Sequence, residues 1–116
     1  MKIFLDDTRP VPEGFIGARN SAEFMACIER AHEDGEKIET IAFDNDLGEE
    51  TEGRHLLAWL GERYPEDILE ATITIHTDNP VAREIMEGYI ASSREHPDDF
   101  REASKRPNPW GERTVS

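Results

Sequence analysis

The sequence predicts one α/β domain built on a short parallel sheet. Short apolar runs alternate with amphipathic helical segments, in the order strand, short strand, helix, strand, helix, strand, helix. Connections between parallel strands are right-handed crossovers, so every strand points the same way. Three of the apolar runs end in chemistry-bearing strings: Leu5-Asp6-Asp7-Thr8-Arg9, Phe43-Asp44-Asn45-Asp46-Leu47-Gly48 and Ile75-His76-Thr77-Asp78-Asn79-Pro80. Parallel strands bring all three to the carboxyl edge of one sheet, where open α/β sheets bind ligands.

The elements follow in order. Lys2–Asp6 is a first buried strand, and Pro10, Pro12 and Gly14 make a loop after it. Phe15–Arg19 reads as a short second strand. Asn20 with Glu23 forms a capping box for a helix that turns Phe24, Ile28 and Ala31 inward, with Cys27 beside them, and Gly35 ends it. Thr40–Asp44 is the next strand, followed by an acidic loop. A helix from about Gly53 carries Leu56, Leu57 and Leu60 with Trp59 alongside, and Pro65 stops it. Ala71–His76 alternates and is rich in β-branched residues, as a strand should be. Asn79 caps a last helix with Pro80 at its first position, and Val81, Ile85, Met86 and Tyr89 are expected to face inward. From about Ser92 the chain is polar and carries Pro97, Pro107 and Pro109. Phe100 and Trp110 are its only large apolar anchors. The expected organisation is a domain over residues 1–92 and a polar extension over 93–116, packed on that domain or trailing from it.

Bulk properties narrow the function. The 116 residues suffice for one core, with 36% hydrophobic and 34% charged residues. A net charge of −13 repels nucleic-acid phosphates, which argues against groove binding along an extended nucleic acid. A small phosphorylated ligand fits only if a cation offsets the carboxylates. Cys27 is alone, so it forms no intrachain disulfide and no thiolate pair for zinc. No run reaches membrane length and no secretory leader is legible, so a cytoplasmic protein away from membranes is expected. Glycine-rich phosphate loops, G-x-S-x-G and H-E-x-x-H are all missing.

The strand-end groups suggest cation and phosphate chemistry. Asp6 and Asp7 repel each other unless positive charge lies between them, although a strand-end aspartate also serves as a turn former. Asp44 and Asp46 repeat the pattern, and only one can face the crevice unless the chain turns at Asn45. Oxygen donors in this number suit magnesium, or manganese in its place. Glu49, Glu50 and Glu52 read as solvated surface. His76 is either a packed side chain or, beside carboxylates, a group suited to proton transfer. His55 lies near the same edge, while His32 and His96 read as surface. Arg9 either clamps a phosphate or neutralises Asp6 or Asp7. Thr77 and Asn79 sit at a helix start, whose amides suit an anion, with Asp78 opposing it.

Two resemblances follow. Asp6, Asp7 and Asp44, with Thr77 roughly at a hydroxyl position, resemble the magnesium-binding site of response-regulator receiver domains, in which the later aspartate accepts a phosphoryl group. A receiver also has a lysine after its last strand. Here no fifth hydrophobic strand carries one, and Lys105 sits in a polar stretch. The chain more closely resembles the cyclic-phosphate-processing receiver-like domains, patterned L-D-D-x-R-x-x-P, D-x-D-L-G, T-x-G and H-[ST]-x-N-P. The matching positions are Leu5 to Pro12, Asp44 to Gly48, Thr51 to Gly53 and His76 to Pro80, with Met86 behind. Asn45 stands where that group commonly has histidine.

The closer resemblance implies a three-layer, receiver-like (flavodoxin-like) α/β fold and a metal-dependent phosphoesterase. The substrate would be a cyclic phosphate of a nucleotide or of a 2′,3′-ended RNA. Asp6, Asp7, Asp44 and Asp46 would hold the cation, and Asp7, Asp44 and His76 would take part in the chemistry. Arg9, Thr77 and Asn79 would contact the phosphate. The alternative is a non-catalytic phospho-receiver or ligand-binding module, with Asp44 as phosphoacceptor.

Overall fold

The computed structural model describes residues 1–105 of the chain. Four parallel strands, β1 (Lys2–Leu5), β2 (Ile16–Ala18), β3 (Thr40–Phe43) and β4 (Thr72–Ile75), lie in the spatial order β2-β1-β3-β4. The helices are α1 (Ser21–Glu33), α2 (Gly53–Arg63), α3 (Pro65–Glu70), α4 (Pro80–Glu95) and α5 (Pro97–Lys105). This is the expected α/β domain with a short parallel sheet.

Burial explains the strand order. Ile3, Phe4 and Leu5 are all buried, as are Ile41, Ala42 and Phe43, so β1 and β3 are covered on both faces. They are the two central strands. β4 instead alternates exposed Thr72 and Thr74 with half-buried Ile73 and Ile75, as an edge strand can. The core joins these strands to Phe24 and Ile28 of α1, Leu56, Leu57 and Leu60 of α2, Ile68 of α3 and Met86 of α4.

Register decides where the strands end. Leu5 is paired with both Ala18 and Phe43, and Phe43 with Ile75. Arg19, Asp6, Asp44 and His76 are each the next residue, so they leave the sheet at one level. Three of them still join the ladder through their amides: Asp6 N–H to Ala18 (3.1 Å), Asp44 N–H to Leu5 (3.0 Å) and His76 N–H to Phe43 (2.8 Å).

The outer edge of β4 is closed by side chains. Thr72 and His76 donate toward β3, so alternation turns the main-chain groups of Ala71, Ile73 and Ile75 outward. Arg94 bonds the carbonyls of Ala71 and Ile68, and Arg83 bonds those of Ile75 (3.0 Å) and Thr77 (2.8 Å). An open edge is a template for unwanted pairing, and these two arginines of α4 occupy part of it.

Four expectations change. Pro65 does more than stop α2: it opens α3, because a proline without N–H fits a first helical turn. The polar stretch after Ser92 is helical, continuing α4 to Glu95 and forming α5. There Asp98 and Asp99 in the first turn and Lys105 in the last suit the helix dipole. Phe100 meets Tyr89 edge-on at 5.9 Å, while Trp110 lies outside the described residues. In α4, Val81 and Ile85 are 65% and 47% exposed, and the inward stripe is Ala82, Met86 and Ser93. Finally, His32 is tied to the body: its Nε2 lies 2.6 Å from Asp67 Oδ2, and its ring stacks on Tyr64 at 3.8 Å. Among the described residues, no helix is long and apolar enough to cross a membrane.

The start of α2 rests on the exit of β3. Gly53 donates to the Asn45 carbonyl at 2.9 Å, and a Cβ on Gly53 would fall 1.9 Å from the Asp44 carbonyl oxygen. Only glycine permits this approach. Gly53→Ala is therefore expected to cost about 1–3 kcal/mol by overpacking against backbone, read as a lower denaturant midpoint with an unchanged m-value.

Candidate functional site

The common level of the strand ends brings the first acidic pair against the second. One carboxylate oxygen each from Asp6, Asp7 and Asp44 lies within 4.8 Å of the others. Asp6 is the deepest, with 1% of its surface exposed. Its Oδ1 accepts the amides of Thr8 and Arg9, both at 2.9 Å, so the chain after β1 wraps around its own carboxylate. Its Oδ2 is buried without a hydrogen bond. Arg9 Nε lies 3.6 Å from that oxygen and His76 Nε2 lies 3.2 Å away. His76 Nε2 is also buried without a hydrogen bond, because the two atoms meet out of hydrogen-bond alignment. The imidazole stacks on Phe4 at 4.9 Å with the rings 4° from parallel.

The two neighbouring carboxylates are driven apart. For Asp6, burial alone would favour the neutral acid. The amides of Arg9 and Thr8, helped by the charges of His76 and Arg9, outweigh that and hold it below the ordinary aspartate range. For Asp44, burial and then the charge of Asp6 push it above that range, against the amides of Asp46 and Asn45. A hard dication would favour the charged form of both. Three convergent carboxylates, one of them with an orphaned buried oxygen, are donors of the kind that magnesium or manganese takes.

The other expected residues are placed differently. Asp46 departs from the proposed ligand set: its Oδ2 accepts the Thr77 hydroxyl at 3.3 Å and its Oδ1 faces the Asn45 amide at 3.4 Å. The chain turns at Asn45, so Asp44 and Asp46 point to different neighbours. Asn45 is fully buried, and its Oδ1 accepts the Arg54 amide at 3.1 Å, which anchors α2. Buried Thr77 takes the Asn79 amide at 3.2 Å. Asn79 Oδ1 accepts the amides of Val81 and Ala82, both at 3.1 Å, and so caps α4. These amides are already bonded within the turn. Arg9 donates to the His76 carbonyl at 2.9 Å and lies 3.7 Å from Asp78 Oδ2. It thereby neutralises Asp6 and remains 46% exposed at the mouth. His55 accepts the Glu52 amide at 2.9 Å and closes the first turn of α2. Glu49, expected to be solvated, reaches the Ser21 amide at 3.1 Å.

Sequence reasoning passed over two arginines here. Arg19 donates to the carbonyls of Asp6 (3.0 Å) and Arg9. Arg83 holds the carbonyls on either side of His76. The available signal for Arg19 was its place one residue beyond a strand, the same place as Asp6, Asp44 and His76.

The electrostatics predict a linkage. The folded value for Asp44 is raised above the unfolded one, so the stability of its neutral form is complete below pH ~4 and is lost as pH rises through the folded value. Asp44→Asn is expected to raise Tm at pH 7 in the presence of EDTA, with the gap closing as pH falls below about 4. Added magnesium should raise Tm of the native protein and leave Asp44→Asn almost unmoved, as read by scanning calorimetry.

A family model described as the cyclic-phosphate processing receiver domain matches residues 1–92. No curated protein and no solved structure gives a significant match to the chain. The matched span runs from β1 into α4 and takes in every side chain of this crevice. With most of its length accounted for in this way, the chain belongs to the cyclic-phosphate processing receiver family.

Proposed function

We propose that this protein is a metal-dependent phosphoesterase that opens a cyclic phosphate, of the class found on 2′,3′-cyclic nucleotides and RNA ends. One observation carries the reading. Asp6 Oδ2 is buried with no hydrogen bond and lies 3.2 Å from His76 Nε2, and the Asp6 carboxylate converges with those of Asp7 and Asp44. Family membership narrows the ligand to one connected with cyclic-phosphate processing.

Asp6, Asp7 and Asp44 would hold a magnesium or manganese ion, which would supply the positive charge an anionic substrate needs and polarise a phosphoryl oxygen. The chain's own groups do the rest. His76, whose Nε2 is buried beside Asp6 Oδ2, would move a proton at the leaving ribose oxygen. Stacking on Phe4 and the bond from Arg9 to its carbonyl hold the imidazole segment in place. Arg9 adds positive charge at the mouth, where negative charge on the phosphoryl oxygens grows. Thr77 and Asn79 fix the loop between β4 and α4 beneath the substrate. The alternative role for Asp44, accepting a phosphoryl group, lacks a lysine: Lys2 opens β1 and Lys37 precedes β3 at the opposite edge, and Lys105 ends α5.

Turnover of a panel of 2′,3′-cyclic nucleotides is expected with magnesium or manganese and not with EDTA. His76→Ala should lower kcat by about 10²–10⁴-fold, the usual scale for a lost general acid or base. Asp44→Asn should lower activity through weaker cation binding. No turnover, together with a stable adduct on Asp44 from a small phosphodonor, would sink the enzyme reading in favour of a phospho-receiver.

A further inference from the structure

We infer that Arg19 is the positioning residue of the acidic cluster, setting the loop that aims Asp6 Oδ2 and Arg9. This rests on the cation reading above. The loop over residues 6–9 is held from two sides. From inside, Asp6 Oδ1 gathers the amides of Thr8 and Arg9. From outside, one guanidinium nitrogen of Arg19 takes the carbonyls of Asp6 and Arg9, the first and last of the turn. With Oδ1 and both ends of the turn fixed, Asp6 Oδ2 is left buried without a hydrogen bond, in a carboxylate that converges with those of Asp7 and Asp44.

Arg19 is itself fixed by its neighbours. Its amide donates to Glu23 Oε1 at 2.8 Å, while the Glu23 amide donates to Asn20 Oδ1 at 2.9 Å; the expected capping box is not closed, because Glu23 reaches past the Asn20 amide to that of Arg19 and so sets its backbone. The adjacent carbonyl of Ala18 accepts the Asp6 amide at 3.1 Å. The short edge strand β2 therefore has a purpose beyond closing the sheet. It delivers one guanidinium nitrogen to the back of the β1 exit, held at the end of a rigid planar group, where a flexible ammonium would be less firmly placed between the two carbonyls.

Charge and position predict opposite signs for the loss of Arg19. Removing a cation near an acidic cluster strengthens divalent-cation binding by Coulomb attraction alone. Removing a positioning group weakens it, by about 10–100-fold for groups that orient ligands from behind. The experiment is titration of Mn²⁺ alone, followed by calorimetry and by the electron paramagnetic resonance of free Mn²⁺. It compares the native protein with Arg19→Ala, Arg19→Lys and Asp6→Asn.

The expected result is binding by the native protein and none by Asp6→Asn. Arg19→Ala should lose at least about tenfold in affinity. Arg19→Lys should fall between, because it keeps the charge and loses the rigid planar group that places the donating nitrogen. If Arg19→Ala does not fold, as judged by near-ultraviolet circular dichroism, a weaker Kd for folded Arg19→Lys supports the inference and an unchanged one overturns it. A native protein that binds no Mn²⁺, or an Asp6→Asn variant that binds it equally well, would overturn the cation reading and this inference together. Affinity unchanged or increased in folded Arg19→Ala would overturn the positioning role alone.

Discussion

The buried carboxylate of Asp6 is the constraint around which the carboxyl edge of this sheet is arranged. An ionised group taken out of water must be compensated by hydrogen bonds and opposite charge. Here the compensation is local and incomplete. Two amides of its own loop satisfy Oδ1, and Arg9 and His76 approach Oδ2 without hydrogen-bonding it. The loop conformation, the place of Arg9 and the burial of His76 against Phe4 all accompany that arrangement. Part of its electrostatic consequence falls on Asp44, whose ionisation is made harder first by its own burial and then by the charge of Asp6.

Strand ends leave carbonyls without partners, and this domain satisfies several of them with guanidinium groups. Arg19 takes those of Asp6 and Arg9, Arg9 takes that of His76, and Arg83 takes those of Ile75 and Thr77. The carbonyls of residues 75, 76 and 77 thus accept from arginines in succession. In a chain of net charge −13, these cations serve backbone geometry as well as charge balance. Each stiffens a segment that carries a crevice side chain. Precision at such a site depends on these supporting bonds as much as on the groups that face the ligand.

Much of the fold was legible because burial writes itself into the sequence. Ile3 to Leu5 and Ile41 to Phe43 are continuous apolar runs, and β1 and β3 are covered on both faces. Asn20 and Asn79 begin helices because their side chains bond early amides, and both do so here. Reading weakened where residue size misled. Val81 and Ile85 are larger than Ala82 and Ser93, yet the small residues face inward, because the space between packed helices decides which side of α4 is buried. Prolines also misled: Pro65 and Pro97 act as first helical residues, and a local pattern read them as breaks.

The sequence by itself determined the parallel α/β class, the edge on which Asp6, Asp44 and His76 meet, and the caps of α1 and α4. These follow from periodicity and topology, which depend on short-range pattern and the fixed handedness of crossovers. Tertiary structure alone decided that Asp7 joins Asp6 and Asp44 while Asp46 turns away to Thr77, and that Arg19 grips the loop from behind. Those outcomes depend on loop dihedrals and side-chain directions. The turn at Asn45 sends Asp46 to Thr77, and the spacing of the residues does not encode it.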